Sequence, residues 1–188
     1  MRYTILFFAT LTLMACTRGK QTMLPDSGGR PYEVVLIGDS DSILYKVLTE
    51  PVTALPQPEP AFDVNIGTSM NATLRLARNI VVVEIDHKLK QIKVKYERNV
   101  YAEPQMIVHV STPSMAHLQR AMWSQSTANN IRYLLKRNEI KNAITLLEHK
   151  HNTKLEAEVQ QMFGIDMRIP SDMRASKKGK DFIWISND

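Results

Sequence analysis

N-I-V-V-V-E-I-D (residues 79–86) is the stretch on which the fold of this 188-residue chain turns. Ile80, Val81, Val82 and Val83 are four β-branched residues in a row. Branching at Cβ restricts χ1 and suits a pleated, buried surface better than a helix, so the run predicts a central strand. Residues 86–91 are polar apart from Leu89, and I-K-V-K-Y-E (92–97) then alternates Ile92, Val94 and Tyr96 with charges. Strict alternation predicts a strand with one solvated face, forming a hairpin with the first. Residues 105–111, after Pro104, supply another strand. The reading for 79–111 is therefore an antiparallel meander.

Upstream, residues 32–37 are apolar and β-branched, and Gly38 ends them, which predicts a further strand buried on both faces. Ile43, Leu44, Val47 and Leu48 recur at helical spacing in a short helix that Pro51 stops. P-V-T-A-L-P-Q-P-E-P-A-F (51–62) holds four prolines. Each fixes φ and removes an amide donor, so this stretch is expected to cross the domain surface in extended form.

Downstream, Thr112-Pro113-Ser114 is a helix start, and Leu118, Ala121, Met122, Ala128, Ile131 and Leu135 follow at three- and four-residue steps. The apolar stripe slips in phase at 137–139 before it resumes at Ile140, Ile144 and Leu147. Either one long helix bends there or a second begins. Asn152 offers an N-cap with a Thr153/Glu156 capping box, and Gly164 ends that helix. Residues 165–170 are extended, and D-F-I-W-I-S (181–186) reads as a last strand. An unpaired Phe-Ile-Trp-Ile edge is sticky, so this strand is expected either to pair back into the first sheet or to open an incomplete second half.

The N-terminus reads as a leader. Arg2 is its positive region, I-L-F-F-A-T-L-T-L-M (5–14) its apolar region, and Ala15-Cys16 places a small residue before the only cysteine in the chain. The apolar run is about half the length a membrane-crossing helix needs. A single cysteine forms no internal disulfide, and this position resembles a bacterial lipobox, with Cys16 as the lipidated residue. Acyl chains contribute roughly 0.8 kcal/mol per buried methylene, so more than one chain anchors the protein stably to a membrane. Residues 17–30, rich in Gly, Ser and Pro toward their end, read as a tether. Lipoproteins that reach the cell surface often carry acidic residues after the cysteine, whereas Thr17-Arg-Gly-Lys20 is basic. An outer-membrane position facing the periplasm follows as the expectation. The 24 Lys and Arg against 19 Asp and Glu give +5, and one of these charges, Arg2, lies in the leader. The basic residues are scattered, which argues against a nucleic-acid partner.

G-R-P-Y-E-V-V-L-I-G-D (29–39), L-P-Q-P-E-P-A-F-D-V (55–64), R-N-I-V-V-V-E-I-D (78–86), Y-E-R-N-V-Y-A-E-P-Q-M-I-V-H-V (96–110) and F-G-I-D-M-R-I-P-S-D (163–172) stand in this order after the lipobox. Together they resemble an uncharacterised lipoprotein family of Bacteroidetes-type bacteria, a domain of unknown function. The resemblance spans nearly all of residues 24–186. It implies location and architecture, with more β-rich sequence after 181–186, and no activity.

One stretch invites a catalytic reading. E-V-V-L-I-G-D-S-D-S (33–42) delivers Gly38-Asp39-Ser40 into a helix start, the way GDSL-type serine hydrolases present their nucleophile. A serine needs a base and oxyanion donors. Asp-x-x-His occurs nowhere in the sequence, and I-S-N-D (185–188) lacks the glycine of the oxyanion block. An antiparallel meander also disagrees with the parallel sheet of those enzymes. The plainer reading makes Asp39 or Ser40 a helix cap. His149 and His151 read as exposed helix-end residues rather than metal ligands, His87 and His109 are single, and Trp123, Tyr133, Met122 and Met162 read as core. Trp184 reads as either core or a bare patch.

The expectation is α+β: a small antiparallel sheet with the helices of 114–163 on one face. Its segments are a leader (1–16), a tether (17–30), a domain (31–164) and an extended C-terminal segment (165–188). The role expected is non-catalytic interaction or assembly in the cell envelope, with the membrane and envelope proteins as partners and no cofactor. A Ser40 esterase is the alternative.

Overall fold

The structure, a computed structural model, describes residues 23–53 and 55–187. The leader and Cys16 lie outside the described residues. The chain is α+β. Strands β1 (Glu33–Ile37), β2 (Asp63–Gly67), β3 (Asn79–Ile85), β4 (Lys93–Arg98) and β5 (Met106–Thr112) form one sheet, with helix α1 (Ile43–Leu48) between β1 and β2. Helices α2 (Met115–Trp123), α3 (Ser126–His149) and α4 (Thr153–Phe163) follow, and β6 (Arg174–Lys178) and β7 (Ile183–Ser186) make a separate two-stranded sheet.

The antiparallel meander does not form. The sheet order is β2-β1-β3-β5-β4, and β1 pairs in parallel with both β2 and β3, as β3 does with β5. Only β4 is antiparallel, against β5. The expected hairpin between 79–86 and 92–97 is thus replaced by one between β4 and β5. Residues 86–92 carry the chain past the width of one strand, and β5 enters the gap between β3 and β4.

Burial on both faces is the physical reason. Val34, Leu36, Val81, Val83, Met106, Val108 and Val110 pack on one face against Leu44, Leu48, Leu118, Ile131 and Leu135 of α1, α2 and α3. Val35, Ile37, Ile80 and Ile107 pack on the other beneath Leu74 and Ala77. A strand covered on both sides reads as an unbroken apolar run, which is the mark of a parallel interior. β2 was not anticipated. It is an edge strand whose Ile66 is 68% exposed, and such a strand carries little apolar signal.

The helix break falls earlier than the phase slip, at Gln125, whose φ is +58. From Ser126 to His149 the chain is one helix, about 36 Å long at 1.5 Å per residue. The slip marks a polar contact inside it. Asn138 and Glu139 are each 2% exposed. Glu139 accepts from Arg78 Nε at 2.9 and 3.0 Å and from Asn79 Nδ2 at 2.7 Å. Asn138 Nδ2 donates to Asn79 Oδ1 at 3.3 Å, and Asn79 Nδ2 also reaches the Glu33 carbonyl at 3.0 Å. The polar cluster thus fastens α3 to the amino ends of β1 and β3.

Beyond Glu139, α3 leaves the sheet. Ile140, Ile144 and Leu146 are more than half exposed. The helix leads to a second small core in which Leu155, Val159 and Ile169 are buried with Met173, Ile183 and Ile185 against them. Helix α4 therefore packs on the C-terminal strands rather than on the sheet of 31–164, and β7 pairs with β6 rather than with that sheet. The reason is local. Val159 and Leu155 find their apolar partners within the next thirty residues.

Asn152 caps α4 by accepting from Leu155 N, and Gly164 ends it at φ +69. Glu156 does not complete a capping box. Its carboxylate accepts from Ile169 N at 2.9 Å and meets His151 Nδ1 at 3.0 Å and Arg168 Nη1 at 3.2 Å. The Ile169 amide, His151 and Arg168 hold it below the ordinary glutamate range, against the opposing effect of burial. A carboxyl group lowered on folding stabilises above its unfolded value, about 4.3, and loses that contribution as pH falls through the folded value. Acidification is expected to loosen residues 153–186 first, read as faster amide exchange there. In Glu156→Gln the same amides are expected to exchange faster at neutral pH and to respond less to acid.

Candidate functional site

Ser40 lies just past the carboxyl end of β1, in the turn that enters α1. The parallel pairing makes this a more interesting address than the sequence suggested. Connections leave β1 for β2 on one side, and the chain resumes at β3 on the other. Ligand crevices in open parallel sheets form outside the strand ends where the order reverses in this way. The fold objection to a hydrolase therefore falls, and the local geometry decides.

That geometry is closed at Gly38. Its φ is +82, and a Cβ there would lie 2.2 Å from the Val83 carbonyl oxygen of β3. Only glycine combines this left-handed backbone with such close approach, so backbone occupies the space between the ends of β1 and β3. Asp39 is fully engaged. Oδ1 accepts from Ile43 N at 3.0 Å and Oδ2 from Tyr45 N at 2.8 Å, which satisfies free amides of the first turn. Asp39, not Ser40, supplies the capping carboxylate, while Ser42 holds the N-cap position.

Ser40 is exposed, and its hydroxyl donates to Asp41 Oδ1 at 3.0 Å. Among the described residues no histidine bonds to it. His87 Nδ1 is 3.0 Å from the Pro113 carbonyl, and His117 Nδ1 is 2.9 Å from Ser114 Oγ, the hydroxyl that caps α2. His109 Nε2 lies 3.8 Å from Glu97 on the open part of the sheet. His149 ends α3. His151 is not the exposed helix-end residue expected, since it is 22% exposed and paired with Glu156. Among the described residues no group of three or more His, Cys, Asp or Glu is placed to hold a metal ion, and no helix is long and apolar enough to cross a membrane.

The aromatic residues expected in the core divide. Met122 is buried, whereas Trp123 is 72% and Tyr133 58% exposed, and Met162 is 37% exposed. Tyr133 sits under the Arg137 guanidinium, 6.0 Å from its ring centre. On β7, Ile183 and Ile185 turn toward α4 and the alternation sends Trp184 outward, 62% exposed, while Phe182, just before the strand, is 58% exposed. Ile165 and Met167, at 52% and 44%, are exposed in the segment before β6. Helical spacing marked Trp123 and Tyr133 as apolar partners, but the face they occupy on α2 and α3 is turned away from the sheet. No sequence signal separates those two cases.

A family model described as a domain of unknown function (DUF8532) matches residues 27–148, and a second, also a domain of unknown function (DUF4837), matches residues 152–188. The change from one to the other falls where the first hydrophobic core gives way to the second. No curated protein and no solved structure matches the chain.

Proposed function

The chain belongs to the family of the domain of unknown function DUF8532, and from there we propose that it is a cell-envelope lipoprotein of Bacteroidetes-type bacteria, anchored through Cys16, that binds partner proteins rather than catalysing a reaction. The observation that carries the binding role is the outward face of β7. Trp184 stands exposed on a two-stranded sheet whose inner face is spent on α4, and Phe182 is exposed just before its last strand. Apolar groups gathered on a surface in this way mark interaction sites. A photo-crosslinking residue in place of Trp184 is expected to capture a defined envelope protein in cells, and the same residue in place of Lys90, in the turn before β4, is not. Equal capture at both positions, or none, would sink the reading.

The anchor has its own test. A palmitate analogue is expected to label the wild-type protein and not Cys16→Ala, which should also leave the membrane fraction. Labelling that survives the substitution would overturn the lipoprotein assignment.

A serine esterase using Ser40 keeps one point in its favour, the position of Ser40 beyond the carboxyl end of a parallel strand. Against it stand the Ser40 to Asp41 bond and the use of both Asp39 oxygens by α1. A fluorophosphonate is expected to leave the purified protein unlabelled. Labelling that disappears in Ser40→Ala would establish the esterase.

A further inference from the structure

We infer that a neutral saccharide binds in the groove between α1 and the joint of α2 and α3. A cavity of about 330 Å³ opens there, within the range of roughly 300–1,000 Å³ that small-molecule sites occupy.

Two features of the joint stand unexplained by the fold. Gln125 holds φ +58 and ψ −31, outside the left-handed well, near ψ of roughly +30 to +60, that an L-residue tolerates. Strain of this kind persists where the surroundings impose it, and it gathers at binding sites. Trp123, two residues earlier, closes α2 and is 72% exposed, although an indole ring is among the largest apolar surfaces a side chain can bury. Both residues line the cavity.

The remaining wall selects the class of guest. Asp41 and Glu50 stand against Lys46 and Arg132, so the charges balance and no ion of either sign is favoured. Glu50 and Arg132 pair with each other. Asp41 accepts the Ser40 hydroxyl at one oxygen, Oδ1, and Lys46, Gln119 and Gln125 are exposed at the rim. Each amide both donates and accepts, the ammonium donates and the carboxylate accepts. An apolar guest would strip these groups of water and return no hydrogen bond. A pyranose ring answers both halves of the site. Its C–H face packs on an indole, and its hydroxyls each donate and accept around the rim. The site shares no residue with the outward face of β7 and does not rest on the role proposed for it.

The test uses the full chain carrying ¹⁵N-labelled tryptophan, whose two indoles, Trp123 and Trp184, report separately. Tri-N-acetylchitotriose, cellotriose and maltotriose are the probes. At least one is expected to move the Trp123 indole resonance saturably and leave that of Trp184 in place. By calorimetry the binding should weaken roughly tenfold in Trp123→Ala, the order of one aromatic packing contact, and severalfold in Gln119→Ala. Both side chains are exposed, so these variants alter the site and not the core. Cyclohexanol keeps a ring and lacks the rim of hydroxyls. If it binds as tightly, a saccharide is not what the site recognises. That result overturns the proposal, as do three probes that leave the Trp123 indole unmoved, an equal response at Trp184, or full affinity in Trp123→Ala.

Discussion

Gly38→Ala is expected to destabilise the five-stranded domain by about 2 to 5 kcal/mol. Part of the cost is the positive φ, about 1–2 kcal/mol for an L-residue. The rest is the collision of the new methyl with the Val83 carbonyl at 2.2 Å, which must be relieved by moving β1 or β3 in a packed interior, typically for 1–3 kcal/mol. Gly164→Ala isolates the two terms, because Gly164 also has positive φ, +69, but has nothing within 4 Å of its Cβ. That variant should lose only the conformational part. Urea denaturation would decide the matter, each variant being read at the transition of its own core through the midpoint at unchanged slope. Equal losses in the two would mean that the contact between β1 and β3 is loose.

The second large effect is expected at Glu139. Glu139→Leu leaves the Arg78 guanidinium without its carboxylate and the Asn79 amide with only the Glu33 carbonyl, and the loss should be about 3–5 kcal/mol. The double variant Arg78→Met with Glu139→Leu removes both charges together. It should recover most of that loss, because replacing a whole buried ion pair by apolar groups is often near neutral. The cycle is informative because the partners touch, and its coupling term should be large. Additive single losses would show that the pair is solvated rather than buried.

Five of the seven strands were readable from the residues and β2 and β6 were not, while the strand directions follow from the pattern of the apolar runs. Residues 34–37, 80–83 and 106–108 are unbroken apolar runs, whereas Lys93, Lys95 and Glu97 interrupt 92–97 at every second place. The runs lie in the parallel strands and the alternation lies in the one antiparallel strand, as burial on two faces or on one requires. Sequence neighbours suggested a meander, and burial outweighed proximity. The slip at 137–139 was visible but not interpretable, since its cause is Arg78 and Asn79, some sixty residues away. At the candidate site, Asp39 to Ser42 was legible as a helix entrance because capping is local chemistry. The closure by Gly38 was not, because it depends on which strand lies beside β1.

Glu139 is the last buried residue of α3, and among the described residues the hydrophobic clusters before and after it share no buried side chain. All-or-none unfolding arises when loss of any part exposes the rest. Here the loss of one core exposes nothing in the other. The chain is therefore expected to melt as two units in series, the smaller one holding only the stability that about 35 residues can generate for themselves, so that a single unfolding free energy would not describe the molecule.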